Sequence, residues 1–355
     1  MSIAYRQGTR RGWRAHDGAS PANAGARSTH AETTPADAFA WHLDDVKQGV
    51  DAELARLLEE KTDHARMIGG PALAATSALS ELAMRGGKRQ RPAILAAAYE
   101  ACGGSGGPQA VVMAGVSLEL LQTYFLIHDD WMDESDTRRG GPSVHVLLAQ
   151  TFGGTHNGNA AAILAGDQAC AIAQEALLEL PLPAECVLAA VRELSRVQQD
   201  VIAGQLLDVA SGSGDADAME KMHDLKTGSY TVRGPLELGA LLAGASSDQH
   251  FALERFARPL GVAFQLRDDL LGTFGDPKIT GKPCGTDLAG GKRTAVAIEL
   301  AANPEGQLQG AKRRVEERID GLVERAIAEL DRSSFTLRGR ALLAGAAHAL
   351  AYRER

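Results

Sequence analysis

Aromatic residues make up only 5% of this 355-residue chain, and alternating runs of β-branched residues are scarce. Half-buried strands are built from such runs, so no sheet is expected. Alanine and leucine, both strong helix formers, dominate instead, and the pattern predicts an all-α fold. Basic charge is also in deficit, with 37 Lys and Arg against 45 Asp and Glu and a formal net charge of −8. Nucleic acid is bound chiefly by Lys and Arg on phosphate, which argues against such a partner. Cysteine is sparse: Cys102, Cys170, Cys186 and Cys284 stand singly, with no CxxC pair. They read as reduced thiols, as in a cytoplasmic protein. No apolar run reaches the roughly 18 to 20 residues that span a bilayer, and the N-terminus has no signal-peptide core, so no transmembrane segment is expected.

What is present is 45% hydrophobic residues, enough for a large core. Residues 1–38 are rich in Arg, Gly, Ser, Thr and Ala without apolar periodicity, a composition that favours a flexible tail. From residue 39 to 355 helical patterns follow one another as one domain. Short turn signals separate them: GGPA at 69–72, RGGKRQRP at 85–92, CGGSGGPQ at 102–109, RGGPS at 139–143, FGGTHNG at 152–158, LPLPAE at 180–185 and SGSGDAD at 211–217. Connections this short join helices that are neighbours in space.

One helix is predicted to start near Pro108 and to run apolar on nearly every face into LIHDDWMDESDTRRGGP, at 126–142. Its last turns carry Asp129, Asp130 and Asp133. A second apolar helix, FALERFARPLGVAFQLRDDLLGTFGDP, ends in Asp268 and Asp269. Asp129 and Asp133 share a helix face and form a carboxylate claw. Like charges at this spacing cost about a few tenths of a kcal/mol, and anions at a helix C-terminus about 0.3–1 kcal/mol more. A hard divalent cation with a preference for oxygen would compensate, and Mg²⁺ suits a site of few carboxylates completed by water and phosphate. Cations cluster in glycine-flanked loops: Lys88, Arg89 and Arg91 in GGKRQRP, Arg138 and Arg139 after the first claw, Lys226 in KTG, and Lys282, Lys292 and Arg293 in TGKPCGTDLAGGKRT. Glycine admits close backbone approach and the Arg fork matches phosphate oxygens, so carboxylate-bound Mg²⁺ alternating with Lys and Arg reads as a diphosphate pocket, and two sets suggest two diphosphates.

Five ordered motifs, GGKRQRP, LELLQTYFLIHDDWMDESDTRRGGP, LKTGSY, FQLRDDLLGTFGDP and TGKPCGTDLAGGKRT, resemble those of the trans-isoprenyl diphosphate synthases, or polyprenyl synthetases, which include farnesyl and geranylgeranyl diphosphate synthases. The resemblance implies the isoprenoid synthase type I fold, antiparallel helices around a deep central cavity, usually as a homodimer. It implies a Mg²⁺-dependent prenyltransferase that condenses isopentenyl diphosphate with dimethylallyl, geranyl or farnesyl diphosphate, with three Mg²⁺ when substrate is bound. Asp129, Asp133 and Asp268 would hold metal, and Asp130 and Asp269 the geometry. Arg138, Lys226 and Lys282 would touch the allylic diphosphate, and Thr227 and Gln265 would face the cation at its C1. Lys88, Arg91 and Arg139 would hold isopentenyl diphosphate, with Lys292 as a weaker member of the phosphate set.

Two positions depart from the family pattern. Gln122 stands where many bacterial members place a histidine that binds isopentenyl diphosphate, a role an amide still serves. Gly272 replaces the final aspartate of the second motif, which puts the third metal's coordination in question. His128 is read as a packing residue. Tyr124 and Phe125 lie about 6–7.5 Å below Asp129 along the helix; in the family, bulky residues there stop chain growth, which implies C15 or C20 products. A class I terpene cyclase would need a different second metal motif, and a non-catalytic subunit of a heteromeric synthase would be expected to lose parts of the aspartate motifs. A helical Ca²⁺-binding scaffold leaves the Lys and Arg clusters unexplained.

Overall fold

The chain's most apolar segment becomes its central helix. In a computed structural model, which describes residues 34–210, 221–275, 294–302 and 308–353, α4 runs Pro108–Met132 with Pro at its first turn and Asp133 as its C-cap. It is long and apolar enough to cross a membrane by composition, contrary to the expectation from the sequence, but 72% of that window is buried inside the protein. Its apolar faces are covered by other helices, so it is a core helix.

Before it come α1 (Pro35–Ile68), α2 (Gly70–Met84) and α3 (Gln90–Ala101). The first helix starts four residues ahead of the expected boundary at Phe39 because Thr34 and Asp37 form a capping box and Pro35 opens the turn. After α4 come α5 (Val144–Phe152), α6 (Thr155–Leu178) and α7 (Ala184–Ala210). A π-helical segment, Asp224–Arg233, continues directly into α8 (Gly234–Ala243). Then follow α9 (Ser247–Phe274), α10 (Ala295–Ala302), α11 (Leu308–Asp331) and α12 (Leu337–Ala351). The turn signal at 211–217 lies outside the described residues. The expectation of no sheet needs one correction: β1 (Thr137–Arg138) pairs antiparallel with β2 (Gly141–Pro142), a hairpin of two residue pairs. So short a ladder leaves no trace in residue periodicity.

The buried side chains form two hydrophobic clusters, and α3 stands between them. Leu95, Ala96 and Tyr99 face the cluster built on α4, α6 and α7, while Ala93, Ile94, Ala97, Ala98 and Ala101 face the one built on α9, α11 and α12. Small side chains on α3 let its neighbours approach closely. A Cβ on Gly239 of α8 would lie 2.2 Å from the Leu95 carbonyl oxygen, so only glycine fits there. This wall begins one residue after the buried Arg89 and holds Arg91 in its first turn. The loop chemistry at 85–91 is thereby fixed to the centre of the fold.

Candidate active site

At the end of α4 the three aspartates have different surroundings. Asp129 is half-buried, Asp130 is fully buried, and Asp133, the C-cap, is exposed and donates its backbone N–H to the Asp129 carbonyl at 2.8 Å. The compensation that clustered carboxylates require comes from two sides. Arg138 on β1 donates from Nε to Asp130 Oδ1 at 2.6 Å, and its Nη2 lies 3.6 Å from Asp129 Oδ2. Lys226, on the π-helical segment, reaches Asp129 Oδ1 at 3.2 Å and Asp208 Oδ2 at 2.7 Å. Burial pushes the Asp130 carboxyl up, and the Arg138 guanidinium pulls it the other way. Burial also lifts Asp133, with the neighbouring Asp129 charge adding to it. For Lys226, burial acts downward, but Asp208 and Asp129 together raise the ammonium above its ordinary value and hold it charged.

The cations of the 85–91 loop divide. Arg89 does not join a phosphate set: it is 3% exposed, and its guanidinium donates to Asp51, Glu119 and the Ala83 carbonyl. Its left-handed backbone, φ 52°, turns it inward as a structural arginine. Lys88 is exposed. Arg91 donates to Thr231 Oγ1 at 3.0 Å and lies 4.4 Å over the Tyr230 ring, with its Nε buried and unpartnered. Arg139 is half-buried, and burial together with Arg89, Arg91 and Arg138 pushes its guanidinium down against the pull of Glu119. Arginine resists deprotonation, so such crowding is relieved by an anion. Gln122 has its Oε1 buried without a partner.

On α9, Gln265 donates to Asp269 Oδ1 at 3.1 Å, and Asp269 Oδ2 accepts the Ala295 backbone N–H at 2.7 Å, at the start of α10. Asp268 is ion-paired with Arg353, just past α12. Arg353 stacks 3.8 Å over Phe264, and Arg267 donates to its carbonyl at 2.7 Å. Arg91 bears on both Arg139 and Arg353 electrostatically. Thr227, half-buried, follows Lys226 in the same π-helical turns. Lys282, Lys292 and Arg293 lie outside the described residues; Gly272 stands in the last turn of α9, beside the buried Thr273.

The donor set suits Mg²⁺. Asp129, Asp133 and Asp268 offer hard oxygen only, and the mutual crowding of Asp129 and Asp133 would be relieved by a cation. Among the described residues no three His, Cys, Asp or Glu side chains come together to hold a metal by themselves. Oxygen ligands from water and a substrate phosphate would have to complete the shell, as Mg²⁺ characteristically requires.

The polyprenyl synthetase family model matches residues 74–330. The chain belongs to this family. It is 32% identical over 303 residues to farnesyl diphosphate synthase from Geobacillus stearothermophilus, covering 81% of this chain and 95% of the relative. A (2E,6E)-farnesyl diphosphate synthase of Mycobacterium tuberculosis is 40% identical over 211 residues, 59% of this chain; the match spans only 55% of that longer protein. Among solved structures, geranylgeranyl pyrophosphate synthase from Corynebacterium glutamicum, complexed with isoprenyl diphosphate and magnesium, superposes with a TM-score of 0.76 at 33% identity, covering 87% of this chain and 99% of that one. The all-α architecture is that of the family's isoprenoid synthase fold.

Two residues that this polyprenyl synthetase brings to the site escape sequence reasoning. Asp208 is 18 positions before Lys226, at the end of α7, and becomes its nearest carboxylate. The signal was the Gly204 that precedes it by one helical turn: a Cβ there would lie 2.4 Å from the Lys226 backbone nitrogen, so glycine lets α7 abut the π-helical segment. Arg353 carried no local signal. Below the first motif, Tyr124 is buried and Phe125 half-buried, their ring centroids 5.0 Å apart. Phe125 meets Tyr230 edge-on at 5.1 Å, and Tyr124 meets His128 at 4.7 Å. His128 also contacts the Ile163 carbonyl at 3.1 Å, which makes it a packing residue of α4 against α6.

Proposed function

We propose that residues 39–355 act as one prenyltransferase domain, a Mg²⁺-dependent enzyme that adds isopentenyl diphosphate to an allylic diphosphate in a 1'-4 head-to-tail condensation. The product is a short trans-prenyl diphosphate, C15 or C20, with diphosphate released. The observation that carries this reading is the opposed charge at the end of α4, where Asp129 is met by both Arg138 and Lys226.

Arg138 and Lys226, with Lys282, bind the allylic diphosphate; the hydrogen bonds they donate strengthen as charge moves onto it, which stabilises the transition state. Asp129, Asp133 and Asp268 hold the magnesium, which when bound supplies Lewis-acid stabilisation of the same developing charge. The bond from C1 to oxygen breaks and its electron pair leaves with the diphosphate. Thr227 and Gln265 face the resulting allylic cation with their oxygens. Lys88, Arg91, Arg139 and Gln122 hold isopentenyl diphosphate with its double bond toward C1, whose electrons form the new carbon–carbon bond. The proton then lost from C2 of the isopentenyl unit passes to the released diphosphate. Apolar walls exclude water, which would otherwise quench the cation. Asp208 and Asp130 keep Lys226 and Arg138 in place between turnovers. We place the enzyme in the cytoplasm as a homodimer, in keeping with the free thiols of Cys102, Cys170 and Cys186.

The test is incubation with isopentenyl diphosphate, one of dimethylallyl, geranyl or farnesyl diphosphate, and Mg²⁺, with products separated by chromatography. Turnover is expected, and EDTA abolishes it. Asp129→Ala is expected to lower kcat by about 10³-fold or more while the helical circular dichroism is retained. Undiminished turnover in EDTA or in that variant overturns the reading.

A further inference from the structure

Arg85 belongs to neither cation set, yet it joins them. It is the C-cap of α2 and the first residue of the loop that carries Lys88 and runs into α3, where Arg91 stands. Its guanidinium leaves that loop and grips the hairpin of β1 and β2. Nη1 donates to the carbonyls of Pro142 at 2.6 Å and Arg138 at 3.3 Å. Nε and Nη2 donate to Glu81 Oε1 at 3.2 and 2.6 Å, which fixes the plane of the fork from the α2 side. The side chain is only 13% exposed. Gly141 is shaped around it: a Cβ there would lie 2.5 Å from Arg85 Cζ.

The hairpin requires such support. It has two residue pairs, and Glu134, Arg139 and Gly140 in and before it have left-handed backbone, φ 52°, 51° and 75°. Two of these are not glycine, at a cost of about 1–2 kcal/mol each, and a hairpin this short is marginal by itself. The load it bears is electrostatic as well. Arg139 feels the positive charge of Arg89 and Arg91 as well as the negative charge of Glu119, so its position relative to them matters.

We propose that Arg85 is a positioning residue for the isopentenyl diphosphate pocket: it ties the loop that bears Lys88 and leads into Arg91 on α3 to the hairpin bearing Arg139, and keeps their spacing before substrate arrives. The inference rests on the assignment of those three cations to isopentenyl diphosphate. It differs from a general packing role because the fork's hydrogen bonds go to the carbonyls of the hairpin, and because Arg138 has its own anchor in Asp130. Loss of the tie should therefore be felt by Arg139 more than by Arg138.

The experiment compares Arg85→Met, Arg85→Lys, Gly141→Ala and Arg139→Ala in the full chain, measuring KM for each substrate, kcat and melting temperature. Arg85→Met is expected to raise KM for isopentenyl diphosphate about tenfold, with the allylic KM nearly unchanged, since loss of preorganisation acts on the pocket that must re-form. Gly141→Ala, which presses on the same guanidinium from the hairpin side, shifts the same constant, and Arg85→Lys falls between wild type and Arg85→Met. If Arg85→Met does not fold, the other two Arg85-contact variants decide. Equal rises in both KM values in step with a lower melting temperature, or no change in either, overturn the proposal. Arg139→Ala separates the two claims: a normal KM for isopentenyl diphosphate there removes the underlying assignment, whereas a raised KM beside an unaffected Arg85→Met removes only the role of Arg85.

Discussion

The Arg353 guanidinium contacts the Asp268 carboxylate and lies 3.8 Å above the Phe264 ring, so a residue 85 positions along the chain is the counter-ion of the second aspartate motif. A cation at that carboxylate competes with metal. Arg353→Met is expected to tighten Mg²⁺ binding to the substrate-free protein about two- to fivefold, the range a partly exposed ion pair supports. Isothermal titration calorimetry reads this directly. Weaker binding would show that Arg353 orients Asp268 for metal rather than competing with it.

Lys226 is shared between Asp129 and Asp208, at 3.2 and 2.7 Å. Asp208→Asn keeps the shape and removes the charge, leaving Lys226 to Asp129 alone. The allylic kcat/KM is expected to fall about three- to tenfold, with little change in melting temperature, because the pair is partly exposed. Steady-state kinetics with the allylic substrate varied checks it, and an unaffected kcat/KM means that Asp129 suffices to place Lys226.

The aromatic pair below the first motif sets a length limit under the proposed function. Tyr124→Ala combined with Phe125→Ala removes both rings from the stack against His128 and Tyr230. Longer prenyl chains are expected in the product profile after chromatography. An unchanged profile would place the floor elsewhere.

Acid sensitivity follows from His42, which is 7% exposed and has Nε2 3.2 Å from the Ala93 carbonyl, the residue two after Arg91. A carbonyl only accepts, so Nε2 carries the proton of that bond. Burial pushes this imidazole below its ordinary 6.5, with Glu100 pulling the other way. A folded value below the unfolded one means that the unfolded chain takes up the proton first. The stability His42 contributes is thus present above pH 6.5 and is lost as pH falls through the folded value. The melting temperature is expected to decline on that acid limb, and His42→Gln to flatten the decline. Parallel curves for the two proteins would remove His42 as the cause.

Much of the site was legible because its signals are local. Pro108 opens α4 where the turn chemistry of CGGSGGPQ predicts it, and the crowded carboxylates at 129–133 demand nearby positive charge whatever the fold. Arg138 and Lys226 meet that demand. Arg89 and Arg91 illustrate the limit. They stand two residues apart in the same basic loop, and composition treats them alike. A left-handed turn at Arg89 sends it to Asp51 and Glu119, while α3 carries Arg91 to Tyr230 and Thr231. The hairpin at 137–142 is not legible in the sequence either, since two residue pairs leave no periodicity and the arginine that bonds to its carbonyls, Arg85, comes from the end of α2.

By itself the sequence determined the helical class, the places where the long helices stop and the chemical character of what gathers there. These depend on propensity, periodicity and capping, which act over a few residues. Which cations reach which carboxylates was decided only by tertiary structure. Asp208 meets Lys226 because Gly204 lets two helices touch, and Arg353 meets Asp268 because α12 packs back onto α9. Such pairings depend on how close whole helices approach, and that distance is set by side-chain volume across the interface rather than by any pattern along one strand of sequence.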